Sequence, residues 1–265
     1  MRLDGASALL TGASGGIGNA IAHALAERGA VVRLSARRAD VLEQLREELG
    51  GETEVLPADL ADSASVVELI ERSAGVDVLV ANAGLPGTGT LDSFSPEEID
   101  RALAVNLRAP IQLARALVPG MVERGRGHVV LISSVSGKVA SPNSSVYSAT
   151  KFGLRAFGQG LRQDLHGTGV GVTTVFPGFI SDAGMWADSG MKTPPGVRTR
   201  SPEQVAAAVV KGIERDKAEL DVAPFTLRLG ALIAAVAPGL SARTQRLAGG
   251  TDISAELARR QVEKR

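Results

Sequence analysis

Short, almost uninterrupted apolar runs recur along this chain, each ending at a glycine, asparagine, serine or proline before a longer stretch with helical spacing begins. Residues 7–10, 30–35, 53–56, 76–81, 128–133 and 170–176 read as strands, and residues 219–222 as a short last one. The near-continuous apolarity of 76–81 is what a strand shows when both faces of its sheet are covered. Between them lie helical patterns, such as 40–49 with Val41, Leu42, Leu45 and Leu49 on one stripe, and 63–73. Ser95-Pro96-Glu97-Glu98 supplies an N-cap, a proline at the first helical position and a capping-box glutamate, and the helix it opens should carry Asn106. Strands alternating with helices demand right-handed crossovers and a mainly parallel sheet, in which ligands bind beyond the C-terminal strand ends.

Composition narrows what such a sheet can bind. Lys plus Arg equals Asp plus Glu at 29 each, so no global field points to nucleic acid or to an anionic surface. Cysteine is absent, which removes disulfides, thiolate catalysis and Cys-ligated metal. His23, His128 and His166 are scattered without a carboxylate cluster, so no metal site is expected. The N-terminus shows no export signal, and the longest apolar stretch, 229–236, is far short of the ~20 residues of a membrane span, so a cytoplasmic protein is expected.

The chemistry collects where the apolar runs end. After the first comes Thr11-Gly12-Ala13-Ser14-Gly15-Gly16-Ile17-Gly18, with a helical stripe of Ile17, Ile21, Ala24 and Leu25 beyond it. Strand, glycine turn and helix together make a phosphate-binding loop, because the glycines let backbone approach a pyrophosphate at a helix N-terminus. Arg37 and Arg38 follow the second run, where the adenosine ribose of a dinucleotide is sensed; a basic residue there suits a 2′-phosphate. Asn82-Ala83-Gly84 ends another, Ser133-Ser134-Val135-Ser136-Gly137 the next and Pro177-Gly178 the one after. Tyr147, the only tyrosine, and Lys151 stand at i and i+4 of the following helix. Read by themselves they are a surface pair or a functional couple; in the second case the ammonium should lower the phenol pKa toward a useful range.

In that order these motifs resemble the short-chain dehydrogenase/reductase family in its common form, over roughly residues 3–222. The resemblance implies one Rossmann-like α/β domain with a seven-stranded parallel sheet in the order 3-2-1-4-5-6-7, helices on both faces and an additional C-terminal helical segment. It implies Tyr147 as proton donor or acceptor, with Lys151 lowering its pKa and bonding the nicotinamide ribose. Ser134 would bond the substrate oxygen, favoured over Ser133 and Ser136 by its spacing to the tyrosine, and Asn106 would hold a relay water. Gly12, Ser14, Gly15, Gly16, Ile17 and Gly18 would cradle the cofactor phosphates, and Arg37 and Arg38 its 2′-phosphate. Asp59 and Leu60 would lie against adenine, Asn82, Ala83 and Gly84 on the adenosine side, and Pro177, Gly178 and Ile180 near the nicotinamide. NADP(H) is favoured and NAD(H) stays open, since Gly15 stands where many NADP-preferring relatives carry a basic residue. Ile180 stands near where many carry threonine, and Ser181 is a substitute.

The implied activity interconverts a secondary alcohol and a carbonyl, more in the direction of NADPH-dependent reduction of an apolar substrate. A non-catalytic dinucleotide sensor on the same fold is the alternative, and a homodimer or homotetramer the expected assembly. The domain is placed at 1–223, with a substrate lid at about 179–200 containing Met185, Trp186, Met191, Pro194, Pro195 and Gly196. Trp186 and the methionines either wall the substrate or pack the lid on its own domain. The extension, 224–265, could cover the cleft, pack on a neighbouring subunit, or lie on a membrane with Arg228, Arg243 and Arg246 toward headgroups; the first two are preferred.

Overall fold

The computed structural model describes residues 1–187, 189–191, 198–247 and 250–261. Its strands are β1 Ser7–Thr11, β2 Val31–Ser35, β3 Glu54–Val55, β4 Val78–Ala81, β5 Gly127–Ile132, β6 Val170–Pro177 and β7 Glu219–Val222. All pair in parallel, in the order β3-β2-β1-β4-β5-β6-β7. The sheet order reverses direction between β1 and β4, and that crevice is where a parallel sheet of this kind receives its ligand.

The helices are α1 Gly16–Ala26, α2 Ala39–Leu49, α3 Ser63–Arg72, α4 Pro96–Leu103, α5 Ala109–Glu123, α6 Ser145–Asp164, α7 Gly184–Ala187, α8 Pro202–Arg215, α9 Phe225–Val236, α10 Pro238–Leu247 and α11 Gly250–Gln261. The pleat divides the strands between two cores. Leu10, Val78 and Val80 pack with Ile21, Leu25 and Val209 on one face. Their neighbours Leu9, Leu79 and Ala81 pack with Leu113, Met121 and Leu154 on the other. Both faces are thus covered, as the continuous apolar runs require, and each fully buried leucine contributes about 1.5–3 kcal/mol.

The capping box at the start of α4 forms as expected, Ser95 N–H donating to Glu98 at 2.8 Å and Glu98 N–H to Ser95 Oγ at 3.2 Å. The helix it opens does not run through Asn106. It ends at Leu103, and residues Ala104–Arg108 form a π turn before α5. Pro110 has no N–H, so it can serve neither the Asn106 carbonyl in α register nor the Val105 carbonyl in π register. The extension is three helices, where the sequence suggested one. Pro194, Pro195 and Gly196 lie outside the described residues.

Candidate active site

The glycine loop is shaped by close contacts that exclude side chains. Gly12 has φ +69°, and a Cβ there would come within 2.7 Å of Ala83 Cα. One on Gly18 would meet the Gly12 carbonyl at 2.1 Å, and one on Gly16 would meet Ala183 Cβ at 2.4 Å. Gly15 is different, because its Cβ would meet only the Gly12 oxygen at 3.6 Å. No side chain caps α1, and its ladder begins with Asn19 N–H bonding Gly15 O at 2.8 Å. The N–H groups of Gly16, Ile17 and Gly18 therefore precede the ladder, with the positive end of the helix dipole behind them. Such a cradle fits a pyrophosphate.

Asn82 holds this loop in place. Its side chain donates to Thr11 O and Gly12 O, each at 3.1 Å, while Asn82 N–H and Ala83 N–H donate to Thr11 Oγ1 at 3.1 and 3.2 Å. Both amide hydrogens are spent on the protein, so Asn82 acts on any nucleotide through the loop. Arg38 is also turned inward, donating to Ser14 O at 3.0 Å. Arg37 is exposed at the end of β2 and has no ion-pair partner among the described residues. Asp59 closes a turn, accepting from Ala61 N–H at 2.9 Å and donating its own N–H to Ser65 Oγ at 3.0 Å, with Leu60 buried beside it.

Four of the expected residues converge across the ends of β4, β5 and α6. Ser134 lies close enough to the Tyr147 hydroxyl to favour its ionisation, and its Oγ accepts from Ser136 N–H at 3.1 Å. Ser133 is no longer a rival, because its hydroxyl donates to Lys151 O at 3.0 Å inside the protein. Lys151, only 3% exposed, donates to Ile132 O at 3.1 Å and keeps two further donors. A Cβ on Gly84 would stand 3.5 Å from both Lys151 Nζ and Asn106 Oδ1, so these two groups face the same small space.

Asn106 is buried in the π turn and clamped like a strand partner. Leu85 N–H donates to its Oδ1 at 2.7 Å, and its Nδ2 donates to Leu85 O at 2.9 Å and Thr150 Oγ1 at 3.3 Å. The Thr150 hydroxyl donates in turn to Tyr147 O at 2.8 Å. Leu85, Thr150 and Gly87 are the supporting residues that sequence reading missed. Thr150 stands at i+3 from Tyr147, which was the available signal; Leu85 acts through its backbone and left none. Gly87 lets the loop after β4 reach α6, since a Cβ there would come within 3.0 Å of Tyr147 N.

The expected lowering of the Tyr147 pKa is reversed. Burial pushes the phenol up to about 12, the Ser134 hydrogen bond offsetting part of the rise. Burial also pushes the Lys151 ammonium down, to about 8. Lys151 Nζ lies 5.6 Å from the centre of the tyrosine ring, and desolvation outweighs what its charge does for the phenolate. The phenol is accordingly the protonated form at neutral pH.

Pro177 and Gly178 lead into residues 179–200, and the Gly178 N–H donates to Val222 O at 3.0 Å. Ile180, expected beside the nicotinamide, turns its side chain into the core at 3% exposure and bridges Arg200, so only its backbone faces the site loop. Ser181 N–H donates to Arg200 O at 2.8 Å and closes the base of the lid. Trp186 packs edge-to-face on Phe179 at 4.5 Å and is buried, so the tryptophan packs the lid on its own domain. Helix α11 reaches back over it: Gln261 donates to Met185 O at 2.9 Å and Arg260 to Ser189 O at 3.1 Å. Among the described residues no cluster of potential metal ligands occurs.

This arrangement has close counterparts. The sequence profile of the short chain dehydrogenase family matches residues 6–193. The chain belongs to the short-chain dehydrogenase/reductase family. It is 36% identical to the ketoacyl reductase HetN of a Nostoc species, over 98% of this chain and 95% of that protein. It is 34% identical to a dehydrogenase/reductase SDR family protein 7-like of Anopheles gambiae, over 90% and 81%. Among solved structures, a short-chain dehydrogenase from Sphingobium yanoikuyae in complex with NADPH superposes with a TM-score of 0.77 at 30% identity, covering 89% of this chain and 95% of that one. A 3-oxoacyl-(acyl-carrier-protein) reductase from Agrobacterium tumefaciens with NADP bound gives 0.73 at 30% identity, covering 83% and 93%. The protein is an oxidoreductase acting on CH–OH groups with a nicotinamide dinucleotide.

Proposed function

We propose that this dehydrogenase works as an NADPH-dependent carbonyl reductase on an apolar substrate, with Tyr147 as the proton donor. The observation that carries the reading is the Ser134–Tyr147–Lys151 group, set at the strand ends beside the glycine loop with its phenol held protonated. A protonated phenol is the form that donates to an alkoxide developing on a carbonyl oxygen. Ser134 bonds the same oxygen and stabilises its charge. The bound cofactor supplies the hydride.

Lys151 keeps two N–H donors for the nicotinamide ribose. Because the Asn106 side chain is saturated by Leu85 and Thr150, its part in a proton relay falls to its main-chain carbonyl, which Pro110 cannot serve in α register. Gly12 to Gly18 receive the pyrophosphate, Asp59 and Leu60 the adenine, Ala83 and Gly84 the adenosine side, and Pro177, Gly178 and the Ile180 backbone the nicotinamide. The exposed, unpaired Arg37 is the 2′-phosphate ligand, with Arg38 bracing the loop. NADP-bound relatives of similar fold support that preference. The cofactor and catalytic unit takes residues 1–223 and the accessory helices 224–265.

A panel of ketones, aldehydes and secondary alcohols, followed by nicotinamide absorbance with both cofactors, tests the activity. Turnover of an apolar ketone with NADPH is expected, and turnover confined to polar substrates would contradict the proposal. Arg37→Ala should raise the KM for NADPH about tenfold or more while leaving NADH within a few-fold. Equal loss with both cofactors would remove Arg37 from the 2′-phosphate.

A further inference from the structure

Helix α9 turns Ala231 and Leu227 inward and leaves most of its large residues outward. Ala231 is buried, and Leu227 Cδ1 reaches to 3.5 Å from where a Cβ on Gly178 would stand. The same helix packs against the 3-10 turn Val135–Gly137 that follows Ser134, so it walls one side of the site. Phe225, Leu232 and Val236 are 71%, 63% and 82% exposed, and Leu229 is exposed between them. Steps of four, three and four residues put these four side chains in one stripe along the helix. Among the described residues, six of the ten exposed large apolar side chains lie on α9 and α10, the other four being scattered singly. Scattered apolar residues are ordinary, but a continuous stripe marks a surface that is covered by something.

The charge pattern indicates what covers it. Residues 222–251 contain three arginines, Arg228, Arg243 and Arg246, and no aspartate or glutamate, in a chain with 29 charges of each sign overall; among the described residues Arg228 alone is answered, by Asp221 just before the segment at 3.6 Å. A two-fold contact between copies through this stripe would bring basic segments together, with only Asp221, already beside Arg228, to answer them. An anionic lipid surface answers both features, offering hydrocarbon to the stripe and negative headgroups to the arginines. Among the described residues no helix is long and apolar enough to cross a membrane, so the proposed contact lies in the plane of the surface.

We propose that α9 and the start of α10 dock this enzyme on an anionic membrane surface, with the Phe225–Leu229–Leu232–Val236 stripe immersed among the acyl chains. Since the inner side of α9 touches Gly178 and the turn after Ser134, docking brings that end of the site to the lipid. The sequence alone ranked this disposition below packing on the protein or on a neighbour; the outward orientation of the stripe reverses the ranking.

Flotation of the full chain with vesicles of phosphatidylcholine, or of phosphatidylcholine mixed with phosphatidylglycerol, tests this. The parent protein is expected to float with the anionic vesicles and to be released as salt is raised from roughly 50 mM to roughly 500 mM. A Leu232→Asp/Val236→Asp double variant, changed only at exposed positions, should partition at least about tenfold less while keeping the parent melting temperature. Arg243→Gln, also at an exposed position, should lower binding to anionic vesicles several-fold and serves if the double variant is unstable. Without vesicles, parent and double variant should sediment alike. Failure of the parent to float, equal flotation with both vesicle types, or parental binding by either variant would overturn the proposal. So would a double variant that sediments as a smaller species, because the stripe would then be an interface between copies.

Discussion

Strand β5 has a buried titratable group beside each of its ends, and the two are wired in opposite ways. At the N-terminal end His128 is 1% exposed, its Nε2 2.8 Å from Thr173 Oγ1. The Thr173 hydroxyl donates to Lys217 O at 2.6 Å, so it accepts from the imidazole, which carries a proton on Nε2. Burial pushes the His128 pKa down to about 4 against the pull of Asp216. At the C-terminal end Lys151 has a single acceptor among the described residues, and the Tyr147 hydroxyl lies beside Ser134. Both ends bear the cost of burying polar groups. Only the second leaves donors without an acceptor among the described residues, and that difference separates a closed structural contact from a place built for a ligand.

The sharpest way to break the contrast is to remove the phenol hydroxyl. Tyr147→Phe should cut turnover by about 10²–10⁴-fold while leaving NADPH binding within a few-fold, as steady-state rates and cofactor titration would report. Turnover near the parent level would make the C-terminal end as structural as the other.

Acid should act on the opposite end. An unfolded histidine takes its proton near pH 6.5 and folded His128 near about 4, so its contribution is complete above the first value and is lost as pH falls through the second. The loss is on the order of 3 kcal/mol. Urea unfolding at about pH 7 and about pH 4.5 should show most of this slope in the parent and little of it in His128→Leu. Equal slopes would mean that His128 is not the buried neutral group.

The smallest effect sharpens the comparison. Folded Lys151 binds its proton less tightly than the unfolded chain does, about 8 against 10.5, so its charge burdens the fold at neutral pH and the burden fades as pH rises between those values. Lys151→Met should therefore hold or raise stability, by about 1 kcal/mol, while turnover falls. A clear drop in melting temperature would place Lys151 with the structural groups.

Much of this was legible in the chain because it is local. The apolar runs stop where the strands stop, and Gly12, Gly16 and Gly18 are glycines for reasons of contact that the strand–turn–helix context already implied. The parts that escaped depend on neighbours far away in sequence. Pro110 was visible, but the π turn holding Asn106 also needs Leu85 and Thr150 to clamp the side chain. The charge of Lys151 was visible beside Tyr147, but the desolvation that outweighs it comes from the surrounding fold. Helix α9 is apolar around most of its circumference, so periodicity could not say which side turns outward.

The central claim is that Tyr147 is the proton carrier of a nicotinamide-dependent site. Tyr147 is the only tyrosine in the chain, so phenolate absorbance during a pH titration reports this one group. In the free protein the account predicts no phenolate until the pH approaches about 12 or the fold is lost. With NADP⁺ added, the positive charge brought to the site should stabilise phenolate and move the transition down by more than about one pH unit. A transition near about 10 in the free protein, or one that NADP⁺ leaves unchanged, would contradict the assignment.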